Sequence, residues 1–373
     1  MAPFSGKKEK SAGQRKDLLY CAYCPKLCRF SCPVSQVTSS ETLTPWGKQS
    51  LLFEVERKTI ALSSDYSSVF FACLECHACR GWCEHGIDVP RSLREGRRQA
   101  FESRCAPVPV MSMSRNYSER ETIVSGMLEE KFPRINTRGR EKLFLMPGCV
   151  TVLRDLKSVE SAVGIMKELT GENFGLLSRH CCGAPLLASG DSEQFRIAAR
   201  QMAEDVREAG TIVVMDPGCA YTMTRLYEEI NVRLNVRVLT FVEFVTPYMN
   251  HFRKKIKIPQ PAFYHDPCRL GRDLGIYSEP RDLLMKIVEG GIRDGFFSRE
   301  KSLCCGGGGA LPVSMPQEAD AIARNLASSF KKEKAASVVT ACPTCKHMIA
   351  ASSESLEVID IIDLLSGSME GKQ

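Results

Sequence analysis

The sequence predicts a multidomain chain of the α+β class. A helical N-terminal part comes first, and an α/β unit with a mostly parallel sheet is then written out twice. Three observations carry this. Two runs of four closely spaced cysteines lie within the first 83 residues. From about residue 140, short apolar strands alternate with helical patterns, which favours a parallel sheet with helices on its faces. The turn Cys181-Cys182-Gly183 then reappears as Cys304-Cys305-Gly306 with similar surroundings.

The totals fit that organisation. At 373 residues the chain exceeds one ordinary core. Its 43% hydrophobic and 25% charged content is that of a soluble globular protein. No run approaches the roughly 18 apolar residues of a membrane span, and the N-terminus shows no apolar signal core. A cytoplasmic location is expected, with peripheral attachment to the inner face of the membrane as its variant. The net charge of +6 owes much to residues 1–16, where Lys7, Lys8, Lys10, Arg15 and Lys16 face only Glu9. That stretch reads as a flexible basic tail. Nucleic-acid binding would need a basic face on a folded domain, and none is evident.

The 18 cysteines set the chemistry. In a reducing compartment, clustered cysteines indicate metal or redox sites rather than disulfides. In the front end, expected over 17–105, Cys73, Cys76, Cys79 and Cys83 follow the C-x2-C-x2-C-x3-C spacing of [4Fe–4S] ligation. Cys21, Cys24, Cys28 and Cys32 repeat it with one extra residue. In that pattern the fourth cysteine of each run serves the other cluster. Cys21, Cys24, Cys28 and Cys83 are therefore expected to hold one cubane, and Cys73, Cys76, Cys79 and Cys32 the second. Paired four-cysteine zinc sites are the alternative, but those usually use well-separated C-x2-C pairs. A helix is expected from Pro45-Trp46-Gly47 onward, and a basic, polar one from Ser92 to Glu102. The Pro-rich residues 106–111 mark a boundary, and 106–140 reads as a linker. Cys105, at that edge, reads as a bystander.

The first α/β copy is expected over 141–255 and the second over 256–373. Leu143–Met146 leads to Cys149, and Ala262–Tyr264 to His265 and Cys268. Helices are expected near 156–169 and 280–289. After each Cys-Cys-Gly turn comes a second helix, through Phe195, Ala198, Ala199, Met202 and Val206 or through Ala319, Ile322, Ala323 and Leu326. Strands Thr211–Met215 and Ser337–Ala341 then deliver Cys219 and the pair Cys342 and Cys345. Val238–Phe241 and Val358–Ile361 make the late strands. Ligands collect beyond the carboxyl ends of such strands, where these cysteines fall. Several thiolates in one place repel unless strong positive charge joins them, and irons would supply it. Adjacent thiols are poorly placed to share one tetrahedral ion, whereas a cluster offers each a different iron. Backbone N–H groups of the glycines after Cys305, from Gly306 and Gly307 to Gly309, can donate to the sulfurs; a plain turn is the simpler alternative. Gly183 is the counterpart in the first copy.

Cys268…Cys304-Cys305-Gly306…Cys342-Pro-Thr-Cys345, with intervals of 35 and 36 residues, resembles the CCG motif of the heterodisulfide reductase catalytic subunit. The motif also occurs in iron–sulfur subunits of anaerobic glycerol-3-phosphate dehydrogenase, glycolate oxidase and lactate-utilisation systems. A two-cluster, ferredoxin-like front end followed by two CCG domains is that family's layout, so the resemblance covers about residues 20–365. It implies a noncubane [4Fe–4S] cluster on Cys268, Cys304, Cys305, Cys342 and Cys345, the cysteines that would bear any catalysis. The first copy departs from the motif, because Asp216 stands where a cysteine is expected. Cys149, Cys181, Cys182 and Cys219 suffice for a further cubane. Asp216 as an oxygen ligand, or weak occupancy, is the alternative.

His77, His180, His265 and His347 lie near these cysteines, as hydrogen-bond donors to the sites or as proton carriers. His265 is the best placed for proton transfer. No G-x-G-x-x-G after a strand and no Walker A loop is present, so a flavin or NAD site is expected on a partner rather than in this chain. The leading expectation is an electron-transfer subunit working with a flavoprotein dehydrogenase and a quinone or cytochrome acceptor in the membrane. The alternative is a disulfide reductase acting at the second CCG site. A zinc-bound structural module is the third.

Overall fold

Short apolar runs form most of the strands, rich in β-branched Val, Ile and Thr in the third and fourth strands of each sheet and in Leu, Phe and Tyr in the first. In the computed structural model, which describes residues 12–24, 26–133, 135, 141–171 and 173–369, they build two four-stranded, all-parallel sheets. The first contains β1 (Leu143–Met146), β2 (Gly175–Leu176), β3 (Thr211–Val214) and β4 (Arg237–Thr240). The second contains β5 (Ala262–His265), β6 (Arg293–Asp294), β7 (Ser337–Thr340) and β8 (Glu357–Asp360). The orders are β2-β1-β3-β4 and β6-β5-β7-β8, the same arrangement in both. The central pairs are in register Phe144↔Ile212 and Phe263↔Val338. Phe144, Ile212, Phe263 and Val338 are all buried, as expected where helices cover both faces.

Six of the eight strands lie within a residue or so of the positions read from the sequence. β2 and β6 leave no trace there, because two residues give no periodicity to detect. The helices agree as well: Leu156–Thr170, Ser192–Asp205, Ser278–Ile287 and Pro316–Lys332. Asp155 and Asp191 cap the first two, accepting from the backbone N–H groups of Ser158 and Gln194. One cluster of buried residues runs from Leu145 and Val213 of the first sheet to Tyr264 and Val339 of the second, so the sheets share a core. Burial of each such Leu or Val contributes about 1.5–3 kcal/mol.

The N-terminal part is helical, with Pro45–Glu56, Ser64–Phe71 and Val89–Glu102 as its main helices. Thr44, Ser63 and Asp88 cap them through Gly47, Tyr66 and Arg91 N–H groups. Val89–Glu102, expected from Ser92 onward as a basic, polar helix, buries part of that polar surface. Arg97 is 0% exposed and Arg94 is buried, because buried carboxylates and carbonyls receive them. The segment expected to be a linker contains the helices Val108–Arg115 and Tyr117–Lys131. Pro107 and Pro109, read as a break, sit at a helix start, where the missing N–H has no cost. The basic tail lies outside the described residues as far as residue 11, and a helix begins at Ala12.

Candidate metal centres

The first run starts in the last turn of the helix Ala12–Ala22 and continues through the short helix Leu27–Ser31, the second lies in the loop after Ser64–Phe71, and the structure interleaves them. Cys21 lies among Cys28, Cys83 and Cys24; burial first, then these neighbours, pushes its thiol up to about 12. Cys28 is pushed up to about 11, again mainly by burial. Cys32 instead lines a small cavity with Cys73, Cys76 and Cys79. Lys48 reaches that cavity, with Nζ 4.0 Å from the Cys32 Sγ while donating to the Ala72 carbonyl at 2.7 Å. Thus Cys83 sits with the first run and Cys32 with the second. Cys105 is apart, its thiol 4.0 Å from the Leu62 carbonyl.

The loop from Cys73 to Cys79 is held in an unusual backbone form. Glu75 and His77 both have φ of 55°, which costs energy for side chains of this kind and persists only where surroundings enforce it. Here the surroundings are charges. Glu75 receives Arg97 at 2.5 Å and Arg269 at 3.3 Å, with Arg94 at 3.8 Å. Arg269 also pairs with Asp273 at 2.8 Å, and Asp273 with His77 Nδ1 at 2.7 Å. His77 Nε2 lies 3.2 Å from Asp88. Burial opposes protonation of His77, but Asp273 and Asp88 outweigh it and lift its pKa to about 9. Arg269 and Asp273 belong to the turn after Cys268, so this network ties the front end to the second sheet.

The remaining cysteines gather at the carboxyl ends of the two sheets. Cys149 opens the helix Cys149–Arg154 directly after β1. The preceding Gly148 has φ of 83°, and a Cβ there would stand 3.2 Å from Asp216 Cβ and 3.4 Å from the Cys219 Sγ. Cys149 and Cys181 sulfurs are 3.9 Å apart, and Cys182 and Cys219 sulfurs 3.3 Å. In the second copy, Cys305 and Cys345 sulfurs are 3.3 Å apart, and Cys268 packs against the buried cluster that contains Cys304. Cys342 precedes the helix Pro343–Ala351 that carries Cys345. All nine of these cysteines, with Asp216, line one cavity of about 320 Å³. The single turn of π-helix after Cys219 and another after Cys268 are the kind of helix defect that accompanies functional sites.

Gly307 and Gly183 N–H groups donate to the Cys305 and Cys181 thiols, and Gly307 also lines the cavity. Gly306 turns at φ of 88° against the Ala319 carbonyl. Gly308 and Gly309 lie against the carbonyls of Leu74 and Cys73 in the front end. The glycine run is therefore a surface of contact between modules as well as a turn.

Asp216 uses Oδ1 to accept from the Gly218 N–H at 2.7 Å, capping the short helix that bears Cys219. Burial raises its pKa. His265 is 2% exposed, with Nε2 unpartnered and its pKa lowered by burial. His180 lies 2.9 Å from Asp205 and 3.7 Å from Glu121, while His347 is exposed. Sequence reasoning missed the helix Tyr117–Lys131 as a contributor. Its Tyr117 donates to the Cys181 carbonyl at 3.1 Å, its Glu121 accepts from the Cys181 N–H at 2.8 Å, and its Arg120 lines the cavity. A capless, weakly patterned helix gave no signal for this.

Among the described residues, no group of three or more His, Cys, Asp or Glu side chains is arranged to hold a single metal ion. The thiols share a void rather than a point. Burial raises the pKa of Cys182 and Cys345 well above the ordinary thiol value, after the hydrogen bonds that link them to their neighbours. Thiolates here need a bound cation, and a multi-iron cluster fits that donor set.

Two family descriptions match the chain. The CCG family, described as a cysteine-rich domain, matches residues 145–224 and 262–350. A 4Fe-4S dicluster domain matches residues 17–87. The chain is 24% identical to a subunit of the fumarate reductase (CoM/CoB) of Methanothermobacter marburgensis, covering 91% of this chain and 70% of that one. It is 22% identical to a subunit of the dihydromethanophenazine:CoB–CoM heterodisulfide reductase of Methanosarcina barkeri, over 87% and 84% of the two chains. It is 26% identical to the EtfAB:quinone oxidoreductase of Syntrophomonas wolfei, over 90% of this chain but 50% of the relative. No helix among the described residues is long and apolar enough to cross a membrane.

Proposed function

The chain belongs to the CCG-domain family of iron–sulfur oxidoreductase subunits, and from that premise we propose that it carries electrons between a flavin-containing dehydrogenase partner and an acceptor such as a quinone or cytochrome. When bound, the clusters supply one-electron redox chemistry over a range of potentials set by their surroundings. Cys21, Cys24, Cys28 and Cys83 hold one, and Cys32, Cys73, Cys76 and Cys79 the next. Cys268, Cys304, Cys305, Cys342 and Cys345 hold a third, of noncubane type. Cys149, Cys181, Cys182 and Cys219 hold a fourth.

The observation that carries this reading is the buried cluster that Cys32 and Cys76 of the front end share with Cys304 of the second CCG site. The second front-end site and the second CCG site are thus neighbours, with Gly308 and Gly309 packed against the Leu74 and Cys73 carbonyls. Lys48, Arg97 and Arg269 neutralise the thiolates and carboxylates around that junction. The names of the relatives support a place in a multisubunit complex. Anaerobic native purification, followed by low-temperature EPR after reduction, tests the proposal. It expects several cluster signals and a co-purifying flavoprotein; a chain that shows no signal sinks it.

The shared cavity favours one second reading, a disulfide reductase acting at the second CCG site. Cys268, Cys304, Cys305, Cys342 and Cys345 all line that cavity, so a cluster they held would face a thiol compound entering it. His265, buried behind Cys305, is then the group nearest to hand for a proton. Titration of the oxidised protein with thiols discriminates. A change in one EPR signal supports the reductase, and an unchanged spectrum supports electron relay alone.

A further inference from the structure

We propose that Arg272 is a positioning residue that clamps the second front-end site to the second CCG site and raises the reduction potentials of both. The inference rests on the cluster assignments just proposed and adds to them a residue that no cysteine pattern marks.

Arg272 leaves the π-turn Arg269–Asp273 that directly follows Cys268. Its Nε donates to the Cys76 carbonyl at 2.8 Å, inside the front-end loop. Its Nη1 donates to the Ser302 carbonyl at 2.7 Å and to the Glu300 carbonyl at 3.3 Å, on the approach to Cys304 and Cys305. One rigid, planar fork therefore holds both backbone segments whose cysteines share a buried cluster. Lysine, a flexible point charge, could not reproduce that geometry.

The charge is as informative as the hydrogen bonds. Carboxylates answer the other arginines nearby: Glu75 for Arg97 and Arg94, Asp273 and Glu75 for Arg269. Among the described residues, none forms an ion pair with Arg272, and its Nη2 is buried without a hydrogen-bond partner. Asp273, in the same turn, is already engaged by Arg269 and His77. A half-buried cation with Nη2 shut off from water gains from a counter-charge. The sites it clamps lie closest to hand: it is held on the Cys76 carbonyl and on that of Ser302, two residues before Cys304, and Cys268 begins its own turn. Ligated clusters there are the missing counter-charge. A fixed cation beside them favours the more negative, reduced state, more so in a site of low polarity.

The test compares the full chain with its Arg272→Gln and Arg272→Lys variants, loaded anaerobically with iron and sulfide and titrated by EPR. In the Gln variant, one front-end signal and the second CCG signal should each shift to lower potential by at least tenfold in the reduction equilibrium, 59 mV for a one-electron couple. The other front-end signal should stay in place. The Lys variant keeps the charge but not the fork. It should hold both potentials near the wild-type values while changing the magnetic interaction between the two sites. Unmoved potentials in the Gln variant overturn the proposal, and so does an equal shift of every signal. If the Gln variant loads poorly, an unchanged magnetic interaction in the Lys variant overturns the clamp. A wild-type chain without cluster signals refutes the cluster assignments themselves, a result distinct from signals that are present and do not respond.

Discussion

The Leu74 carbonyl occupies the space that a Cβ on Gly308 would need, under 3.0 Å away. The Cys73 carbonyl stands in the same relation to Gly309, where φ is +57°. A side chain at either position would push the second CCG site off the front-end loop. Gly308→Ala should therefore destabilise the cluster-loaded chain by about 1–3 kcal/mol, the usual cost of overpacking. Gly81→Ala, with nothing within 4 Å of the new atom, should be neutral. Denaturant midpoints of the two variants check this, and equal midpoints refute the packing role.

Arg97 is the second structural wager. It donates to the Phe70 carbonyl at 2.9 Å, the Cys73 carbonyl at 2.6 Å and Glu75 at 2.5 Å, with no exposure to water. Arg97→Met strips Glu75 of its closest partner and should cost about 3–5 kcal/mol, as other broken buried pairs do. Adding Glu75→Gln should recover part of that loss, because the uncompensated carboxylate is then gone. Strict additivity of the two changes in denaturant unfolding would show that the pair does not act as a unit.

These residues also show where the sequence was legible. Apolar runs such as Leu143–Met146 and Ser337–Thr340 announce parallel strands because burial on both faces demands continuous hydrophobicity. The cysteines announce themselves by spacing alone. Arg97, Arg269 and Arg272 do not, since a basic residue on a helical pattern looks like solvated surface until the fold supplies Glu75 or a carbonyl. The helix Tyr117–Lys131 was hidden for a related reason. Only Val124 and Leu128 of its residues are fully buried, so its apolar stripe is too thin to detect.

Asp216 tests whether the first CCG site uses an oxygen ligand. Its Oδ1 is already committed to the Gly218 N–H, the ordinary work of an N-cap. Asp216→Ala should leave iron and acid-labile sulfide per chain unchanged, together with the Mössbauer spectrum of the site. It should cost about 1 kcal/mol of stability through the lost cap. A drop in iron, or a new Mössbauer component, would instead assign the carboxylate to the cluster.

Asp360 yields a pH dependence whose sign is fixed. Its Oδ1 accepts from the Ile362 N–H at 2.9 Å and caps the last helix, Ile361–Ser368. Burial raises its pKa from 3.8 to about 7; Asp363 and Asp155 add to the rise, while the Ile362 N–H and Lys346 oppose it. The folded chain thus keeps a proton that the unfolded chain releases near pH 4. That contribution is fully present below about pH 4 and is lost as pH rises to about 7, by up to about 4 kcal/mol at 1.36 kcal/mol per pKa unit. Asparagine mimics the protonated acid and keeps the cap. Asp360→Asn should therefore exceed the wild type in stability by a margin that widens between pH 5 and pH 7.5, in anaerobic denaturant unfolding of the loaded chain. Parallel stability curves for the two proteins would mean that Asp360 stays ionised in the fold. Lys346, which pairs with Asp363 and Asp155 beside it, would then be the counter-charge that keeps it so.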